Sequence, residues 1–150
     1  MMNWKYVKTM EELSADDLYK VLKLRQDVFI IEQDCIYEDI DNLDQKSEHL
    51  LLKSGNELIA YSRIVPAGIK FAYPSIGRIV VSPAHRGEGY GHRIVKKSIE
   101  IIRENGSEEV LIEAQEYLHD FYQELGFEKI SEPYDLDGIQ HIEMKVKLNR

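Results

Sequence analysis

The sequence predicts a single α/β domain of the α+β kind, residues 1–150, built on one mixed β-sheet. Two observations predict this class. Short apolar runs rich in β-branched residues flank the segments of helical periodicity, as expected when strands and helices share one core. In addition, 43% of the 150 residues are hydrophobic, which is enough for one core, and no repeat or low-complexity linker divides the chain.

The first half of the chain predicts one helix among three strands. Ser14, with Asp17 three positions later, has the pattern of a helix start, and an apolar face continues to about residue 31. The acidic stretch 32–44 has no helical or strand period, so we expect a loop beside the core. Strands are predicted at 3–8, 49–53 and 57–65, the last two joined by a hairpin turn at Ser54-Gly55-Asn56.

The second half predicts two helices and four strands. The helix that begins after residue 91 has an apolar face with the small Ser98 in it, and it ends at Asn105-Gly106-Ser107. Residues 141–148 alternate strictly between polar and apolar side chains, which predicts a half-buried antiparallel strand. The remaining predictions are strands at 77–82, 110–112 and 127–130 and a short helix at 116–125.

Charge and cysteine content exclude several classes of function. The formal net charge of −8, from 19 basic and 27 acidic residues, argues against nucleic-acid binding, which needs a basic surface. The one cysteine, Cys35, excludes an internal disulfide, and we expect it to be buried. No apolar run approaches the roughly 18 residues of a membrane span, and the N-terminus lacks the apolar segment of a signal peptide. We therefore expect a cytoplasmic protein that binds no membrane.

Residues 77–100 carry the most informative pattern. An apolar strand leads into a turn with glycines at 87, 89 and 91, and an amphipathic helix follows. Such a turn suits phosphate, because glycine permits close backbone approach and the first N–H groups of a helix have no partner inside it. A P-loop sequence is absent, and the third glycine falls one position early for the dinucleotide fingerprint. The pattern that remains is Arg86-x-x-Gly89-x-Gly91.

That pattern, preceded by a strand and a Ser-Pro dipeptide, resembles the pyrophosphate loop of the GNAT superfamily of N-acetyltransferases. The resemblance extends over about residues 18–148 and implies a mixed, mostly antiparallel sheet that is splayed at its centre and has helices on both faces. In its C-terminal loop the chain has Leu136-Asp137 in place of a Glu-Asp pair and Gln140 in place of a proline. The stretches that resemble the ElaA-like branch are 22–37, Gly77-Arg78-Ile-Val, Ala114-Gln115, Phe121-Tyr122 with Gly126-Phe127, and Asp137-Gly138-Ile139 with His141 and Met144.

The resemblance implies acetyl-CoA as the donor and no metal. The turn would bind the pyrophosphate, and the backbone of residues 79–81 would hold the pantetheine arm and polarise the thioester carbonyl. Tyr122 matches the tyrosine acid of the family, although its helix face also fits a core position. The residues expected to contact the donor are Ile79, Val80, Val81, Arg86, Gly87, Glu88, Gly89, Tyr90, Gly91, Gln115 and Tyr122.

The acceptor side is less determined. Glu113, near the end of its strand, is the preferred catalytic base, and we expect Glu32, Asp41 and His141 to contact the acceptor, an amine of a small molecule or peptide. The acidic loop is either a patch that attracts this amine or a solvated loop, and it lacks the glycine and glutamate of a calcium loop, so no metal is expected. Further candidate bases are Glu32, Glu38, Asp39, Asp41, His49 and His141.

The leading hypothesis is an N-acetyltransferase that transfers directly in a ternary complex. A non-catalytic acyl-CoA-binding module is the alternative, and a nucleotide-binding α/β protein is a third hypothesis. The oligomeric state stays open, with a homodimer as one option.

Overall fold

One sheet of eight strands dominates the structure, a computed structural model that describes residues 1–148. The strands pair in the order β1-β2-β3-β4-β5-β8-β6, and β7 also pairs with β8. Of these pairs, β4 and β5 are parallel and the others are antiparallel. The strands are β1 (Met2–Val7), β2 (Glu48–Ser54), β3 (Glu57–Val65), β4 (Ser75–Val81), β5 (Glu109–Gln115), β6 (Glu128–Lys129), β7 (Tyr134–Leu136) and β8 (Ile139–Lys147).

Helices cover both faces of this sheet. Because side chains alternate along a strand, β2 contributes to two cores: Leu51 packs in the cluster that contains α1, whereas Leu50 and Leu52 pack in the cluster that contains α2. The mixed sheet with helices on both faces, which the resemblance implies, is therefore confirmed. The α-helices are α1 (Ala15–Arg25), α2 (Tyr90–Glu104) and α3 (His119–Glu124).

The first helix begins as predicted and ends with a change of winding. Ser14 Oγ accepts a hydrogen bond of 3.0 Å from the Asp17 N–H, which satisfies one of the free donors of the first turn. The Asp17 carboxylate is buried and pairs with Lys5 and Lys53 at 2.8 and 2.7 Å. From Gln26 to Glu32 the chain continues as a π-helix, a rare winding that occurs frequently at functional sites.

The sheet opens between β4 and β5. These strands pair at Ser75 and Leu111, where the Leu111 N–H donates to the Pro74 carbonyl at 3.0 Å. The remaining described residues of β4 and β5 form no ladder with each other. The two strands therefore diverge toward Val81 and Gln115, and the predicted splay at the centre of the sheet is confirmed.

A β-bulge lies next to this opening. Tyr61 pairs with Val80, and Arg63 pairs with Gly77, so one residue of β3 faces two residues of β4. A bulge re-aims the backbone of the strand that contains it. The two residues of the bulge are Arg78, whose φ is 50°, and Ile79.

Most predicted elements are confirmed, with shifted ends. β3 matches 57–65, the α2 face around Ser98 is buried, and β8 has Ile142 and Met144 inside. The helix predicted at 116–125 consists of a 3₁₀ turn followed by α3, and α2 begins at Tyr90, two residues early. The short β7 is not among the predicted strands.

Candidate functional site

A cleft of about 1130 Å³ occupies the opening between β4 and β5. The edge of β4, the glycine turn before α2, the π-helical segment and the β7–β8 hairpin surround it. Of the residues that the sequence assigns to the donor, the acceptor and catalysis, all line this cleft except Glu88. Glu88 is exposed in the turn outside the lining, and its contact with the acyl donor stays a prediction.

The turn requires its glycines for two different reasons. Gly87 and Gly89 have φ values of 82° and 83°, a conformation that other residues rarely adopt, and a Cβ atom at either would meet no atom within 4 Å. Gly91 has an ordinary φ, but a Cβ atom there would lie 3.3 Å from the Phe121 ring. The first two glycines therefore shape an open surface, and the third permits close packing between α2 and α3.

The N-terminus of α2 presents donors to this surface. The Arg93 N–H makes a helical bond of 3.2 Å to the Gly89 carbonyl, so the N–H groups of residues 90–92 precede the helical ladder. Gly89 provides no capping side chain, and the first turn contains no acidic residue. Free N–H groups and the helix dipole suit an anion, and the residues present therefore fit a pyrophosphate.

The free edge of β4 continues from this turn into the cleft. Val80 pairs with Tyr61, and the Ser82 N–H donates to the Ile59 carbonyl at 2.8 Å. Because backbone groups alternate along a strand, the N–H and C=O of Val81, and of Ile79 two positions earlier, are directed away from β3. An extended chain in the cleft would find these groups unpaired.

Tyr122 lies on α3, where its ring packs in the core and also lines the cleft. The residue is 7% exposed, and its ring meets Phe121 and Phe127 edge to face at centroid distances of 5.0 and 5.9 Å. Burial raises the pKa of Tyr122 above its usual value, so the hydroxyl remains a proton donor at neutral pH.

Comparison with known proteins identifies the family. The family described as "Acetyltransferase (GNAT) domain" matches residues 10–148. The chain belongs to the GNAT acetyltransferase family. Protein ElaA of Escherichia coli is 40% identical over 136 residues, which are 89% of each chain. A UPF0039 protein of Synechocystis is 39% identical over 145 residues, 95% of this chain and 94% of its own.

Solved structures agree with this placement and with the ElaA-like branch. The crystal structure of Escherichia coli ElaA superposes with a TM-score of 0.88 at 37% identity, covering 97% of this chain and 99% of its own. An acyl-CoA N-acyltransferase from Pseudomonas aeruginosa superposes with a TM-score of 0.90 at 32% identity, with the same coverage. This GNAT domain is therefore an ElaA-like protein whose family supports acyl-CoA-dependent acyltransferase activity.

Two further features of residues 1–148 concern membranes and metal ions. None of the helices there has the length and apolar character needed to cross a membrane. The same residues contain no group of three or more His, Cys, Asp or Glu side chains placed to hold a metal ion.

In this GNAT domain, a residue predicted to contact the acyl donor forms an ion pair with a residue predicted to contact the acceptor amine. Arg86 Nη1 donates to Glu32 Oε2 at 2.6 Å, and its Nη2 donates to the other oxygen of the same carboxylate. The hydrogen bond and charge of Arg86 lower the pKa of Glu32. The pair is about half exposed and lines the cleft, so Glu32 occupies two of the N–H donors that Arg86 would offer to an anion.

Glu113 lines the cleft, but both oxygens of its carboxylate accept hydrogen bonds, which is not expected of a free base. Its Oε1 accepts a hydrogen bond from Lys70 Nζ at 2.9 Å, and its Oε2 accepts one from the Tyr134 hydroxyl at 2.7 Å. Burial opposes ionisation of Glu113, but these two hydrogen bonds outweigh it and lower its pKa. Both oxygens of this carboxylate are engaged, and its catalytic role remains a prediction from the sequence.

His141 and Gln115 face each other across the β5–β8 ladder. His141 Nδ1 lies 2.8 Å from the Ile139 carbonyl oxygen, which can only accept, so Nδ1 carries the hydrogen and the neutral ring keeps a lone pair on Nε2. The Gln115 amide donates to Gln33 Oε1 at 3.3 Å and thereby connects β5 to the end of the π-helix.

Arginines hold three carboxylates of the acidic loop, at positions 39, 41 and 44, which corrects both interpretations for these three residues, whereas Glu38 is exposed. Asp39 and Asp44 are buried and pair with Arg25 at 2.9 and 2.8 Å. Asp41 accepts two hydrogen bonds of 2.8 Å from Arg63. Burial opposes ionisation of Asp41, but the arginine hydrogen bonds prevail and lower its pKa to about 2. An acceptor amine would have to share this carboxylate with guanidinium groups.

His49, another candidate base, is buried beside Asp44 of the acidic loop. It is 2% exposed, its Nδ1 lies 2.7 Å from the Tyr61 hydroxyl, and its Nε2 lies 3.0 Å from the Asp44 carbonyl. Burial lowers the pKa of His49. The residue does not line the cleft, which makes it a structural histidine and not a base.

The sequence interpretation missed the arginines that line or support the cleft. Arg63 stands in the otherwise apolar run of β3, and Arg25 stands on the inner face of α1. Arginine is almost never fully buried without a partner, so a lone arginine in an apolar run signals a buried ion pair. The sequence therefore contained a sign of buried ion pairs, but which carboxylates pair with these arginines depends on the fold.

Proposed function

We propose that the chain is an N-acetyltransferase that moves the acetyl group of acetyl-CoA to an amine of a small molecule or peptide by direct transfer in a ternary complex. One observation carries the proposal: in a single cleft the open edge of β4 leads into a glycine turn at the N-terminus of a helix, and Tyr122 lines the same cleft. The turn suits a pyrophosphate, and an unpaired strand edge suits an extended arm. Acyl-CoA contains both features in one molecule, and the acetyl group follows from the family resemblance.

The transfer itself forms a C–N bond and breaks a C–S bond. The amine nitrogen attacks the thioester carbon, and the carbonyl oxygen gains negative charge, which a free N–H of β4 stabilises. The CoA thiolate then leaves; its conjugate thiol has a pKa of roughly 8.5, so a nearby acid assists. We assign this role to Tyr122 because it matches the family's tyrosine acid and lines the same cleft with its hydroxyl protonated at neutral pH.

The amine must lose its proton before it attacks. At pH 7 this costs about 4–5 kcal/mol for a lysine-type amine and only about 1 kcal/mol for an α-amine. His141 is the base that the local geometry supports best, because its Nε2 lone pair is free while both oxygens of Glu113 are engaged. We therefore assign proton removal to His141, directly or through a water molecule, and assign Glu113 to holding Lys70 and Tyr134.

A matched pair of variants tests this assignment. His141→Asn keeps an N–H donor for the Ile139 carbonyl but removes the base, so kcat should fall by roughly 10²-fold while acetyl-CoA affinity stays constant. Glu113→Gln keeps the shape of its side chain and should change kcat much less. Equal losses, or a larger loss for Glu113→Gln, would return the role of base to Glu113.

The proposed function is tested by thiol release from acetyl-CoA across classes of amines at several pH values. We expect release that depends on one class of amine, with an alkaline limb that reports the acceptor pKa. Binding of CoA by isothermal titration without release for any class would favour the acyl-CoA-binding module instead. Tight binding of ATP or NAD without affinity for CoA would contradict both. Comparison of acetyl, propionyl and longer donors defines the acyl group.

A further inference from the structure

Arg78 has a backbone conformation that its residue type disfavours. Its φ of 50° lies in the left-handed region, and the residue stands inside β4 at the bulge between Gly77 and Ile79. Residues other than glycine keep such a conformation only where their surroundings determine it. The strand ladder does not do so, because the register pairs neither Arg78 nor Ile79 with a described residue of β3.

The side chain of Arg78 is held by the loop that contains Tyr37, Asp39 and Asp41. Its Nη2 donates to the Asp39 carbonyl at 3.1 Å and to Asp41 Oδ2 at 3.2 Å. Its Nε lies 2.9 Å from Asp39 Oδ1, close enough for an ion pair although the N–H is not aimed at that oxygen. The guanidinium carbon lies 5.4 Å from the centre of the Tyr37 ring, within the range of a cation–π contact.

Two buried arginines fix this loop in turn. Arg25 from α1 donates to Asp39 Oδ2 at 2.9 Å, and Arg63 from β3 donates twice to Asp41 at 2.8 Å. Each arginine is 1% exposed. Moving the loop would leave buried charges without partners, which is strongly unfavourable. Arg78 is therefore attached to a rigid frame built from α1 and β3.

We propose that Arg78 is a positioning residue: its ion pairs to Asp39 and Asp41 hold the bulge in the conformation that presents the Ile79 N–H to the thioester carbonyl. The ψ of Arg78 orients the planar peptide that joins it to Ile79, and this peptide carries the Ile79 N–H. Arg78 acts through the backbone and does not touch the acyl group. This inference rests on the proposed function, because it concerns the carbonyl of the bound acetyl-CoA.

Two substitutions of Arg78 separate backbone positioning from direct contact. Arg78→Ala removes the anchor and leaves a residue that disfavours a φ of 50°, whereas Arg78→Gly removes the same side chain but accepts that φ. We expect kcat to fall by roughly 10- to 100-fold in Arg78→Ala, less than for complete loss of an oxyanion donor because the N–H is displaced and not deleted. The KM for acetyl-CoA should change little, because the pyrophosphate turn is intact. Arg78→Gly should recover most of the lost kcat.

The infrared carbonyl band of bound [1-¹³C]acetyl-CoA provides a readout that a folding defect does not mimic. A hydrogen bond from the Ile79 N–H lowers this frequency in the parent chain; Arg78→Ala should move it toward the free value, and Arg78→Gly should restore it. Asp39→Asn, which keeps the shape of the side chain but removes its charge, should produce part of the Arg78→Ala shift. CoA-binding stoichiometry corrects each variant for its folded fraction.

The outcomes distinguish this role from the proposed function. If the parent chain fails to bind acetyl-CoA, the proposed function itself is wrong. If it binds and turns over while Arg78→Ala leaves kcat and the carbonyl band unchanged, the positioning role is wrong. Equal losses in Arg78→Ala and Arg78→Gly with an unshifted carbonyl band would also overturn it, because they would mean that the side chain touches the acceptor.

Discussion

Asp41→Asn tests whether the acidic loop stabilises the fold or binds the acceptor. In the folded state Arg63 and Arg78 surround this carboxylate and lower its pKa from its ordinary value of 3.8 to about 2. Since one pKa unit corresponds to 1.36 kcal/mol, ionised Asp41 contributes about 2 kcal/mol to the free energy of unfolding at pH 7. Its side chain is 24% exposed, so solvent screens this interaction only in part.

The sign of the pH dependence follows from the lowered pKa. The folded state holds the proton less tightly than the unfolded state, so the contribution is present above about pH 4 and disappears as the pH falls toward about 2. Asp41→Asn should therefore lower the free energy of unfolding by about 2 kcal/mol at pH 7 and by about 1 kcal/mol at pH 3. Urea unfolding followed by circular dichroism at both pH values measures this difference.

The control for Asp41→Asn is Asp16→Asn on the surface of α1. Asp16 also pairs with a basic residue, Lys20 at 2.8 Å, but its side chain is 71% exposed, so its loss should change stability little at either pH. The reasoning is refuted if Asp41→Asn leaves stability unchanged and instead raises the KM for the amine. That result would assign Asp41 to the acceptor, as the sequence alone suggests.

Three further predictions concern the donor site and the acid. Tyr122→Phe should lower kcat by roughly 10²–10⁴-fold with CoA affinity unchanged, and near-normal turnover would leave Tyr122 as a core residue only. Gly89→Asp should abolish CoA binding in a titration, because it places a strained, negatively charged residue in the proposed anion site. The control is Gly55→Asp in the β2–β3 turn, which also has a positive φ and no atom within 4 Å of the added Cβ, and which should leave CoA binding unchanged. Glu32→Gln should tighten CoA binding by about two- to fivefold, because it releases Arg86. The affinity for pantetheine, which lacks the pyrophosphate, should stay constant. Weaker CoA binding would contradict a competition between Glu32 and the pyrophosphate for Arg86.

The sequence predicts the parts of the fold that depend on local periodicity. The alternation along β8 and the apolar face of α2 each repeat within a few residues, so the local order of residues indicates which side is buried. The glycine turn is predictable for the same reason, because positive φ at Gly87 and Gly89 is a local requirement. These features were sufficient to predict the glycine turn that lines the cleft.

The acceptor side depends on contacts between distant residues. Arg63 meets Asp41 from 22 positions away, and Lys70 meets Glu113 from 43 positions away. No local pattern indicates these pairs, so carboxylates that the sequence presents as free prove to be engaged. The bulge at Arg78 has the same origin, because side-chain contacts with Asp39 and Asp41 stabilise a φ that its residue type disfavours.

The central claim is that the donor lies along the open edge of β4. Amide hydrogen exchange, measured residue by residue by NMR with and without acetyl-CoA, tests it directly. We expect slower exchange at Val81 and Ile79 and at the N–H groups of residues 87–92 when acetyl-CoA is bound. Acetyl-CoA that binds and leaves exchange at both segments unchanged would contradict it.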